Sequence, residues 1–143
     1  MRDRDIVTGP PAIQHLLDSF PNAHVHFGHH ASPMHFAARL DMPDFIVLEH
    51  ATCWVFARDL GEGVYDTHWF CPIGVNLDSL RLMLRHMFDA HGAKELVGET
   101  PRGHHNERAA RAVSRAVGAV KEGRRYALTR ERFMTYNGSK IKP

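Results

Sequence analysis

The sequence predicts an α+β domain with a twisted, mixed β-sheet flanked by helices. Three observations carry this. The apolar period is helical before residue 41, strand-like over 45–70 and helical again after 76. The later helices then alternate with short strands, which makes a βαβ crossover inside an otherwise antiparallel sheet. At 143 residues the chain is the size of one domain.

In PPAIQHLLDSF, Ile13, Leu16, Leu17 and Phe20 fall on one helical stripe, opened by Pro11 and closed by Pro21. A second helix starts at Ser32, an N-cap before Pro33, and runs to Leu40. FIVLEH (45–50), TCWVFAR (52–58) and GVYDTHWF (63–70) are rich in β-branched and aromatic residues. They read as antiparallel strands joined by tight turns that glycine permits, as at Gly61-Glu62-Gly63. After the loop CPIGVN, a helix capped by Asn76 or Asp78 carries Leu77, Leu80, Leu84, Met87 and Phe88 on one side, and Gly92 suits its C′ position. ELVGET (95–100) is a short strand. Asn106 caps a helix that buries Ala109, Ala110, Val113 and Val117 and stops at Gly118; RRYALT (124–129) is a further strand. The segment RERFMTYN could be a final strand, paired or exchanged between two subunits in a homodimer. The tail NGSKIKP reads as frayed.

A composition of 43% hydrophobic and 24% charged residues excludes disordered and fibrous classes. No apolar run nears the roughly 20 residues of a membrane span. The opening MRDRDIVTGPP lacks an apolar core, so no secretory signal is expected. Two cysteines, Cys53 and Cys71, suit a reducing cytoplasm and are too few for a disulfide framework. Charge is lopsided: residues 1–101 sum to −6 and residues 102–143 to +8. The basic end suits either an anionic ligand or a solvated helix face, to which Arg108, Arg111 and Arg115 belong. Arg81 and Arg85 admit the same two readings.

The loop CPIGVNLDS joins a strand end to a helix N-terminus, where unpaired amides and the helix dipole favour phosphate. It is equally a plain strand-to-helix turn. Together with GEGVYDTHWF, ELVGETP and NERAARAVSRAVGAVKEGRRYAL it resembles the GNAT superfamily of acyl-CoA-dependent N-acyltransferases, and more narrowly the compact, bacteriophage-type members. The likeness spans about residues 45–129 and rests on Asp66-Thr67-His68, on Asn106 to Ala109 and on Gly118-Ala119.

The resemblance implies acetyl-CoA as co-substrate. The family's pyrophosphate loop, Q/R-x-x-G-x-G/A, falls on Cys71-Pro72-Ile73-Gly74-Val75-Asn76, of which only Gly74 keeps the pattern. Backbone donors do not depend on side-chain identity, so Phe70, Cys71, Ile73, Gly74, Val75 and Asn76 form the expected cradle, with late-strand amides polarising the thioester carbonyl. Asn106 matches the asparagine that contacts the pantetheine arm, and is also a good N-cap. Ser114 stands where the family often has an acidic tyrosine.

Strand alternation puts Asp66 and His68 on one face with Val64 and Phe70, and Tyr65, Thr67 and Trp69 on the other. A carboxylate there can orient the imidazole or raise its pKa, making His68 a base for an attacking amine or simply a half-buried polar residue. Glu49 and Glu99 are weaker candidates. Twelve histidines, among them His24, His26, His29, His30, His104 and His105, invite a metal reading, but no CxxC or HExxH accompanies them and no metal site is assigned. The expectation is acetyl transfer to an amine, on a small molecule, a modified nucleobase or a protein, in the cytoplasm (a host's, were the chain phage-encoded). The alternative is a non-catalytic binding module of the same fold for a host protein or nucleic acid.

Overall fold

The computed structural model describes residues 5–26, 32–99 and 107–138. In chain order the elements are β1 (Val7–Thr8), α1 (Pro10–Ser19), α2 (Ala23–His26), α3 (Pro33–Leu40), β2 (Phe45–His50), β3 (Cys53–Gly61) and β4 (Val64–Phe70). There follow α4 (Leu77–Ala90), β5 (Glu95–Gly98), α5 (Glu107–Ala116), β6 (Val120–Glu122), β7 (Arg125–Thr129) and α6 (Arg130–Asn137). The strands form one sheet in the order β1-β2-β3-β4-β5-β7-β6. Among the described residues, only β4 and β5 run parallel. The crossover between them is α4, as the βαβ reading expects.

Two apolar clusters sandwich the sheet. One takes Leu48, Cys53, Val55 and Ala57 from the strands with Leu80, Met83, Met87 and Phe88 of α4, Val113 of α5 and Phe133 of α6. The other takes Val47, Trp54, Phe56 and Phe70 with Ile13 and Leu16 of α1 and Phe36 and Leu40 of α3. Successive residues of β3 therefore serve opposite clusters, and Cys53 to Ala57 is buried throughout. Trp54 is fully buried, and its indole N–H donates to Ala12 O at 2.9 Å, so the strand's largest side chain leaves no orphaned donor.

Local signals position these elements. Ser32 Oγ accepts from His35 N at 3.1 Å, capping α3. Asn76, rather than Asp78, caps α4 by accepting from Ser79 N at 3.1 Å, and Gly92 lies beyond its end at φ 64°. The turn between β2 and β3 departs from expectation. Its central residues are Ala51 and Thr52, at φ 51° and 59°, where glycine or asparagine is normally found. Replacing the pair by Asn-Gly is expected to raise unfolding free energy by about 1 kcal/mol. Denaturant melts check this.

Four elements escaped the sequence reading: β1, α2, β6 and α6. Residues 130–137 form α6, not a final strand, which removes them as an exchangeable strand. Thr129 Oγ1 accepts from Arg132 N at 3.2 Å and caps this helix. Its far end is pinned by fully buried Asn137, whose amide donates to Val117 O at 2.7 Å and Phe133 O at 3.0 Å and accepts from Arg81 Nε at 3.1 Å. Arg81 is thus a structural residue, and Arg85 pairs with Asp89 at 3.2 Å. In α5, Val113 and Val117 beyond its end are buried as expected, but Ala109 is exposed. Asn106, His29, His30, His104, His105 and the tail from residue 139 lie outside the described residues.

Candidate functional site

The sheet opens beside the end of β4. Its ladder with β3 runs to Trp54↔Phe70, whereas its ladder with β5 stops at Asp66↔Val97. Past that point the parallel pair is no longer laddered, and four residues of β4, Thr67 to Phe70, have a partner strand on one side only. At the parting, β5 has Gly98, where a Cβ would stand 2.9 Å from Thr67 O. Any side chain there would force the two strands apart earlier.

The bend 71–76 follows directly and leads into the N-terminus of α4. Gly74 sits at φ 120°, open to glycine and strained for other residues, and a Cβ on it would meet nothing within 4 Å. Its N–H is bonded to Cys71 O at 3.1 Å, closing the turn. Among the described residues, no backbone carbonyl accepts from the amides of Ile73 or Val75. Leu77 and Asp78, in the first turn of α4, have no intrahelical acceptor. The bend is therefore a concentration of donors at a positive helix end, with Ile73 70% and Val75 45% exposed.

Three side chains of the expected cradle point elsewhere. Phe70 is buried against Phe20 and Trp54, with centroids 6.0 and 6.2 Å away. Cys71 turns inward to Cys53, and Asn76 spends its carboxamide oxygen on the helix cap. The polar groups the bend leaves for a ligand are main-chain amides, which is the mode the resemblance implies.

Asp66 and His68 share the face covered by α1 and α3, while Tyr65 and Trp69 pack on the α4 face, as alternation predicts. His68 Nε2 lies 3.3 Å from Asp66 Oδ2, and Arg58 Nη2 lies 3.9 Å from the same oxygen. The hydrogen bond to His68, helped by the charges of His68 and Arg58, holds the Asp66 carboxyl below its usual range against an opposing burial effect. The ionised carboxylate therefore stabilises the fold above the usual carboxylate pKa, and this contribution is lost as pH falls through the lowered value. In His68→Ala the acid limb of the stability curve should flatten, as read by melts below pH 5.

Arg58 was missed from sequence, although pairing β3 with β4 about the turn at 61–63 brings it opposite Asp66. A second acid–imidazole pair lies two strands away. Glu49 is 7% exposed and accepts from, or shares a proton with, His15 Nδ1 at 2.7 Å. Glu99 is exposed just past β5. Among the described residues, no three His, Cys, Asp or Glu side chains gather as a metal site. None of the described helices is long and apolar enough to cross a membrane.

No protein-family model matches this sequence, and no curated protein is similar to it. Solved structures do match. RimJ from Mycobacterium smegmatis, in complex with CoA-disulfide, superposes with a TM-score of 0.61 at 12% identity, covering 94% of this chain and 88% of that one. Spermidine N-acetyltransferase from Vibrio cholerae, in complex with CoA and spermine, gives 0.64 at 10%, covering 92% and 99%. An acetyltransferase of the GNAT family from Bacillus anthracis gives 0.59 at 10%, covering 89% and 96%. This is the GNAT fold. The GNAT likeness extends well beyond the stretch 45–129 that carries the sequence resemblance, taking in α1 to α3.

Proposed function

We propose that this protein is an acetyltransferase that moves an acetyl group from acetyl-CoA to an amine. The observation that carries the reading is the parting of β4 from β5 beside the open, donor-rich bend at Gly74. CoA in the complexes of M. smegmatis RimJ and the V. cholerae enzyme supports the same cofactor here.

Acetyl-CoA, when bound, supplies an activated acyl group on a good thiolate leaving group. The amides of Ile73, Val75, Leu77 and Asp78 would hold its pyrophosphate, and late β4 amides the acyl oxygen. Asn106 would meet the pantetheine arm. His68, whose Nε2 lies 3.3 Å from Asp66 Oδ2, would take the proton of the incoming amine directly or through water. Asp66, ionised and steadied by Arg58, would stabilise the imidazolium so formed. Ser114 offers no phenol to protonate the departing sulfur, so the thiolate leaves unaided.

A melting experiment tests this. Acetyl-CoA at about 100 Kd should stabilise the folded protein by about 2.7 kcal/mol. Gly74→Val, which cannot keep φ 120° without strain, should weaken binding about tenfold or more. An unmoved melting curve would favour the binding-module reading, which the exposed Arg108 and Arg115 and the missing tyrosine support. The acceptor amine, whether of a small molecule, a nucleobase or a protein, would approach the Asp66–His68 face.

A further inference from the structure

We propose that Cys53 and Cys71 are a reversible thiol–disulfide pair that sets the shape of the bend 71–76. The β3–β4 register carries the inference. It ends at Trp54↔Phe70, and the next two opposed positions are Cys53 and Cys71. Opposed residues of an antiparallel pair have Cα atoms about 4.5–5.5 Å apart, within the roughly 4.4–6.8 Å that a disulfide spans. Both side chains lie on the α4 face, with Cys53 wholly buried and Cys71 half-buried against the same cluster.

The two side chains pack against the same cluster beside the bend. Cys53 Sγ donates to Gly74 O at 3.9 Å, which ties it to the bend that Cys71 opens. The Cys71 hydrogen bond, with that of the Asn76 amide, pulls Cys53 down to about 7 against its burial, and the thiolate so favoured pushes Cys71 up. One negative charge shared by the pair near neutral pH is the condition for a reactive thiol. Cys53 is fully buried, so a small peroxide reaches its sulfur past Cys71, the less buried of the two.

With hydrogen peroxide the chemistry balances. The thiolate attacks one peroxide oxygen, forming S–O and breaking O–O, and the released hydroxide takes a proton to leave as water. The second thiol then attacks that sulfur, forming S–S and breaking S–O, and a second water departs. Two sulfurs are oxidised and one peroxide is reduced. The disulfide has no S–H to offer Gly74 O, and it draws the Cβ atoms to about 3.8 Å from a usual 4.5–5.5 Å. Cys71 is the first residue of the bend, so the bend is redrawn. Its effect on acetyl-CoA rests on the cofactor reading above; formation of the bond does not.

The test treats the full chain with hydrogen peroxide and follows free thiols, intact mass and migration without reductant. Both thiols should disappear together, the mass should fall by two hydrogens, the chain should stay monomeric, and dithiothreitol should restore it. Cys53→Ser and Cys71→Ser should each abolish the mass loss. Thiols that survive, oxidise separately to sulfinic acids or join two chains would overturn the pair. Acetyl-CoA should bind the oxidised protein about tenfold more weakly than the reduced. Equal affinities would overturn control of the bend. Failure of the reduced protein to bind would remove that control together with the cofactor reading, while the thiol count still decides the pair.

Discussion

His68→Ala is expected to lower kcat/KM for acetyl transfer by about 10²–10⁴-fold, the usual worth of a positioned general base. The effect should fall on kcat, because the proposed cradle for acetyl-CoA is main chain of the bend and α4. Melting shifts with acetyl-CoA should therefore match those of the parent protein. Asp66→Asn should leave a smaller defect, because the imidazole keeps a partner there and loses only its counter-charge. Unchanged turnover in His68→Ala at every pH would remove the base from this strand and turn attention to the Glu49–His15 pair, where a buried carboxylate already meets an imidazole at 2.7 Å.

Gly118→Ala is expected to be the most destabilising single methyl addition, costing about 2–5 kcal/mol from left-handed strain and overpacking together. Gly118 lies at φ 90°, and a Cβ there would stand 2.6 Å from the Tyr136 ring and 2.7 Å from its Cβ. Those are atoms close to the α6 backbone, so the helix itself must move. Its movement would disturb Asn137, and with it the Arg81 contact that ties α4 to α6. Arg132 Nε, which donates to Gly118 O at 2.9 Å, would lose its seat as well. Tyr136→Ala in the same chain should relieve the ring part of the clash, leaving the Cβ contact at 2.7 Å and the backbone strain. A coupling of about 1–3 kcal/mol in the double-mutant cycle is the expected result, and strictly additive effects would refute the clash.

Much of this fold was legible because its signals are local. Ser32 and Asn76 cap their helices through bonds three residues on, and Gly92 ends α4 through its own backbone freedom. Asp66 and His68 share a face because strand side chains alternate, which needs no knowledge of neighbours. The turn at 71–76 was legible because a glycine between a strand and a capped helix leaves amides exposed.

Tertiary pairing decided the rest. β1 and β6 are two and three residues long and exist only through their partners. RERFMTYN has side chains that suit a strand, and it is a helix because burying Phe133 and the three bonds of Asn137 outweigh that local preference. The meeting of Cys53 with Cys71, of Arg58 with Asp66 and of His15 with Glu49 depends on register and on how α1 lies across the sheet. The sequence alone thus determined the order of the main elements and the chemistry available at the bend. Which side chains touch, and where the sheet opens, was decided by long-range packing, because contact energies between distant residues arise only once the chain has closed around its core.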